Sequence, residues 1–134
     1  MDTNQYAALM HVNLLINRAP KVFVADYKHF FCGYNEPGYL KRVKVEILEK
    51  VATKQNMHEV VSELSEYAKD VDVELSQRSV RAISKIAIKL PAVAEHSLDR
   101  LISFLDFGLD HITSTALAVM KGTFCCWALF SSCC

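Results

Sequence analysis

His58-Glu59 comes closest, in this 134-residue chain, to a spacing that chemistry demands. A zinc protease carries His-Glu-x-x-His on a helix, with two imidazoles one turn apart holding the metal and the glutamate activating its water. Here the run is His58-Glu59-Val60-Val61-Ser62. A serine stands where the second ligand belongs, so the pair reads as an exposed helix N-terminus. His11, His29, His96 and His111 fall on separate segments and read as surface or packed residues. Cys32 stands alone, while Cys125, Cys126, Cys133 and Cys134 crowd the end of the chain. Two adjacent pairs without a histidine lack the spacing of a zinc site. Cys133-Cys134 has the form of a doubly prenylated end, and the cysteines near Trp127 have the setting of palmitoylation. The tail reads instead as an apolar extension. No Gly-rich phosphate loop, GxSxG turn or carboxylate pair is present, so no catalytic, cofactor-binding or metal residue is expected, and no cofactor.

Two stretches could form binding surfaces. Lys41-Arg42-Val43-Lys44 is basic enough to touch a phosphoinositide head group, but Glu46 and Glu49 close by make it a solvated, mixed-charge face. Phe23, Tyr27, Phe30, Phe31, Tyr34 and Tyr39 recur at helical spacing and read as core between helices rather than as a peptide site.

Composition narrows the class. Fifteen basic residues balance fifteen acidic ones, so no global field recruits nucleic acid or an anionic membrane. With 51% apolar residues the chain has enough for one continuous core. The cysteine distribution offers no disulfide framework, which places the chain in a reducing, cytosolic compartment. Asp2-Thr3-Asn4-Gln5 lacks the basic-then-apolar form of a secretory signal. Ile112–Phe130 is at the lower edge of membrane-spanning length, with Lys121 near its middle, and reads as a buried helix.

The elements that position these residues are helices throughout. Tyr6, Leu9, Val12, Asn13 and Ile16 share one face of a first helix; a second is expected from Lys21 to Phe31, stopped by Cys32 with Gly33 as its left-handed C-terminal residue. Asn35 caps a third, with Pro37 in its first turn and Leu40, Val43, Ile47 and Val51 inward. Asn56 and Glu59 have capping-box spacing before a fourth helix, Met57 to about Lys69. Asp70 or Asp72 caps a fifth that ends near Leu90; Pro91 begins a sixth, stopped by Gly108; Asp110 caps a seventh, with Ile112, Leu117 and Met120 inward. Leu40, Val45 and Leu48 align with Leu75, Val80 and Ile83 at a shift of 35, and with Ile112, Leu117 and Met120 at 72. Val61, Leu64 and Tyr67 align with Leu98, Leu101 and Phe104 at 37. Helix pairs repeating in the upper thirties predict an all-α fold, an α-solenoid of stacked HEAT/armadillo-like pairs. Leu48, Val51, Leu64, Ile83, Ile86 and Leu101 are the expected core.

With the repeat located, Phe30–Leu48, FFCGYNEPGYLKRVKVEIL, and Asn56–Lys89 resemble the trunk of the β-adaptins, the large β subunits of heterotetrameric clathrin-adaptor-type complexes. The residues that carry the resemblance are Phe30-Phe31, Tyr34-Asn35-Glu36-Pro37, Tyr39-Leu40-Lys41, Glu66-Tyr67, Asp70-Val71-Asp72 and Arg81-Ala82-Ile83. Phe31-Cys32 before the turn is most similar to the β subunit of the fourth adaptor complex. The resemblance implies a non-catalytic scaffold in vesicle-mediated transport, with large, medium and small adaptor subunits as partners. It also implies recruitment by an Arf-type GTPase to trans-Golgi or endosomal membranes, peripherally and from the cytoplasm, with no nucleic-acid or small-molecule ligand. Residues 1–121 are expected to be an internal trunk fragment and 122–134 an apolar, Cys-rich tail foreign to the family. The alternative is a HEAT-repeat interaction module unrelated to vesicle coats.

Overall fold

The computed structural model describes residues 2–132, with the side chains of Asp2, Val93, Phe124 and residues 126–132 outside that description. Among the described residues seven α-helices follow one another: α1 (Asp2–Arg18), α2 (Pro20–Val24), α3 (Gly38–Val51), α4 (Met57–Tyr67), α5 (Val73–Lys89), α6 (Glu95–Ser103) and α7 (Asp110–Ser132). Short 3-10 turns occupy Tyr27–Phe30, Pro91–Val93 and Phe104–Asp106. There is no strand among the described residues. Helices α1, α3, α5 and α7 pack in that order as one layer, and α2 with its 3-10 turn, α4 and α6 form the second. This is the α-solenoid that the repeat demands: each pair leaves an apolar face that only the next pair covers.

The core runs through both layers. Leu48, Val51, Leu64, Ile83, Ile86 and Leu101 are all fully buried, as their register requires. Leu117 is not: it is 54% exposed, and Ala116 takes the inward place beside Ile112 and Met120. Its aligned residues Val45 and Val80 are buried in helices that another helix of the same layer follows. No helix follows α7 among the described residues.

Local rules failed where tertiary contacts offered something better. The second helix is broken, because Tyr27–Phe30 tightens into 3-10 geometry that puts residues three apart on one side. Phe30 is thereby buried and Tyr27 packs half-buried against the same core. Gly33 is not left-handed; the only positive-φ residue among those described is Gly108, at φ 69° before α7. Asn35 does not cap α3. The Glu36 N–H donates to the Gly33 carbonyl in a turn, and α3 starts at Gly38 after an extended Pro37 (φ −60°, ψ 148°). A residue preceding proline is sterically kept from helical geometry, so Glu36 cannot begin the helix. Asn56 makes no cap bond either. Its side chain is buried and pins the α3–α4 turn, accepting from the Thr53 N–H at 2.7 Å and donating to the Val51 carbonyl at 3.1 Å. Asp72 does cap α5, accepting from the N–H groups of Glu74 and Leu75.

Candidate functional site

The basic run at the start of α3 is not a solvated face. Lys44 is buried at 5% exposure and paired with Glu36. Lys41 donates to Asp70 at 3.3 Å, and Arg42 reaches Asp72 at 3.0 Å and Glu74 at 3.1 Å. Three cations on one helix thus grip the loop before it and the loop before the next helix of the layer. Gly38 leaves room for the Asp72 carboxylate: a Cβ there would lie 2.9 Å from one of its oxygens. Burial alone would raise the Asp72 carboxyl, but the Arg42 guanidinium and the two capping N–H groups outweigh it and hold the group below its ordinary value.

Beside this clamp, Tyr67 ties the end of α4 to the loop before α3. Its hydroxyl accepts from the Cys32 N–H at 2.8 Å and donates to Glu63 at 3.0 Å. Burial pushes the Cys32 thiol up to about 11, against the opposing pull of Tyr67 and Lys44. It is therefore a poor nucleophile near neutrality, when the thiolate is the reactive form. Cys125 is exposed; the Cys126 side chain, Cys133, Cys134 and Trp127, where lipidation or metal binding was weighed, lie outside the described side chains.

The remaining sites of interest scatter. Of the aromatic set, Phe30 is buried and Phe23, Tyr27 and Phe31 line the core. Tyr34 is 97% exposed in its turn, and Tyr39 is on the surface, edge-on to Tyr6. Both sit where the backbone leaves helical geometry or has just regained it, so spacing alone misplaced them. His58 and Glu59 are exposed, but His58 does not stand alone: its ring is 4.6 Å from that of His96 on α6. A separation of 38 residues hid that pair from any motif. Burial, then His58 and Arg100, lower the His96 imidazole against the opposing charge of Asp99. Its Nε2 is enclosed without a hydrogen-bond partner among the described residues. No three or more metal-ligating side chains gather among the described residues. None of the described helices is long and apolar enough to cross a membrane.

The arrangement supplies charge pairing and shape. Glu36, Lys41, Asp70 and Asp72 of the clamp, and Tyr67 beside it, are among the residues that carry the resemblance. Residues 1–124 match the adaptin N terminal region, and the chain belongs to that family. Its relatives include the β-adaptin-like protein A of Arabidopsis thaliana, 47% identical over 116 residues, which are 87% of this chain and 14% of that protein. The human AP-1 complex subunit beta-1 is 35% identical over 120 residues, 90% of this chain and 13% of that protein. The AP-2 complex subunit beta of Schizosaccharomyces pombe is 31% identical over 120 residues, 90% of this chain and 18% of that protein. The chain therefore spans under a fifth of the length of these β-adaptins. The matched region passes Lys121, as does α7, and Thr123 is fully buried, bonded to Ser84 on α5 at 2.7 Å.

Proposed function

We propose that the chain is trunk material of an adaptor-complex β subunit, acting as a non-catalytic scaffold in vesicle-mediated intracellular transport. The observation that carries this is the adaptin match across all seven helices up to residue 124, together with residues of the resemblance motifs serving as the joints between repeats. Its partners would be the large, medium and small subunits of one complex. The complex would be brought by an Arf-type GTPase to the cytoplasmic face of trans-Golgi or endosomal membranes. The complex we favour is the fourth. Phe31-Cys32 before Tyr34-Asn35-Glu36-Pro37 supports it. Residues 122–134 would be a segment distinct from the trunk in composition, although Thr123 is packed into it. Affinity purification of the tagged chain from cells, read by mass spectrometry, tests the reading. Recovery of medium and small adaptor subunits of the fourth complex is expected. Recovery of subunits of a different complex would overturn the subtype, and recovery of none would overturn the scaffold role of this chain.

A further inference from the structure

The edge where the long helices turn over into the second layer carries a pocket that the clamp does not use. It lies between the start of α2, the α3–α4 turn and the end of α5, and has a volume of about 410 Å³. Val24, Ala52 and Leu90 give it an apolar floor, while Lys21, Lys50, Lys54 and Lys89 surround it; no carboxylate lines it. In a chain with equal numbers of acids and bases, four lysines around one pocket, of which only Lys50 meets a carboxylate among the described residues, are a local imbalance.

The fold fixes two of the four. Lys50 donates to Asn13 on α1 at 2.6 Å, and Lys89 donates to the carbonyls of Lys50 and Ala52 at 2.9 and 3.1 Å. Glu46 and Glu49 line the groove between α3 and α5 instead, where they meet Lys50 and Lys85 at 3.6 Å each. Lys21 and Lys54 are exposed and take part in none of the ion pairs among the described residues.

We propose that this pocket binds a short acidic segment of a partner protein, one that presents a single bulky aliphatic side chain between carboxylates. The side chain would seat on Val24, Ala52 and Leu90, and the flanking carboxylates would meet Lys21 and Lys54. Charge alone would suit a phosphate equally well, but a lipid head group has nothing to place on an apolar floor. The proposal is independent of which complex the chain serves.

The test uses the full chain and a fluorescein-labelled peptide, Glu-Glu-Ile-Glu-Glu, read by fluorescence anisotropy. Binding is expected to weaken as salt rises, and replacing the central Ile by Ala should weaken it several-fold. The double variant Lys21→Glu, Lys54→Glu should lose about tenfold in affinity, since each exposed ion pair contributes modestly and reversal adds repulsion. Lys121→Glu, on the exposed side of α7, should change nothing. If the double variant fails to fold by circular dichroism, Lys21→Gln with Lys54→Gln decides, with about a threefold loss expected. No binding, equal binding of the Ala peptide, or binding indifferent to Lys21 and Lys54 would overturn the proposal. So would capture by phosphatidylserine vesicles that depends on those lysines while the peptide does not bind.

Discussion

At the scale of single residues, burial separates side chains that composition treats alike. Ile83 and Ile102 are both helical isoleucines, yet the first is fully buried and the second 52% exposed. Ile83 lies on the α5 face of the continuous core, so Ile83→Ala should destabilise the chain by about 2–5 kcal/mol, the transfer loss plus the cavity left behind. Ile102→Ala should cost well under about 1 kcal/mol, as expected for a half-exposed site. Urea titrations of the two variants check the pair; similar losses would mean that Ile83 is not packed as described. Asp72 is a residue with two tasks, capping α5 and holding Arg42. Asp72→Ala removes the cap, worth about 0.5–2 kcal/mol by itself, and also leaves Arg42 with only Glu74 among its described partners. Because its carboxyl titrates below its ordinary value in the fold, its contribution is present above the unfolded carboxylate range, near pH 4. That contribution is lost as pH falls through the lower folded value. The wild-type and Asp72→Ala stabilities should therefore differ most at neutral pH and converge in acid; a constant difference down to pH 2 would sink the linkage.

At the scale of elements, the contact between α4 and α6 includes an imidazole pair, His58 and His96. His96 is pressed toward its neutral form first by burial and then by His58 and Arg100, with Asp99 opposing. An imidazole lowered in the fold binds fewer protons there than in the unfolded chain. Stability is then lost as pH falls through the ordinary imidazole value, about 6.5, and levels off below the folded value. His96→Gln should flatten this part of the profile. Thermal melts between pH 7.5 and 5 check it: a wild-type and variant slope that match would show that other groups set the dependence. The same element-level logic explains the clamp. Lys41, Arg42 and Lys44 stand on the first two turns of α3, where side chains reach both adjoining loops, so local charge alternation said little about their partners.

At the scale of the whole molecule, the stacking order makes stability cumulative, each layer covering the last. The middle of α7 matters because Thr123 is tied to Ser84. Truncation after Thr123 should leave that bond, whereas truncation after Lys121 removes it. The shorter chain should be less stable by about 0.5–1.5 kcal/mol, the net contribution of one internal hydrogen bond. Comparing both truncations with the full chain by thermal melting and size-exclusion chromatography under reducing conditions tests this, and equal stability of the two would mean that Thr123 contributes nothing. Reduced self-association is expected in both, since each lacks the apolar residues beyond Phe124.

The all-helical class, the helix pairs, their period and the six core positions were legible in the sequence because apolar residues recur at the spacing of a helix face, and a repeated unit writes that spacing several times over. An aspartate cap on α5, Asp70 or Asp72, was legible for a local reason, and the structure selects Asp72, whose carboxylate reaches N–H groups two and three residues ahead. The resemblance to β-adaptins lay in stretches that include the joints between repeats, Glu36, Lys41, Asp70 and Asp72 among them. What only the tertiary structure decided involved partners far apart in the chain. Asn56 bonds back to the end of α3, Lys44 is buried against Glu36, and Cys32 meets Tyr67. His58 meets His96, and four lysines from α2, α3, the α3–α4 turn and α5 surround one apolar floor. A buried polar group takes whichever partner satisfies it in three dimensions, and periodicity along the chain carries no record of that choice.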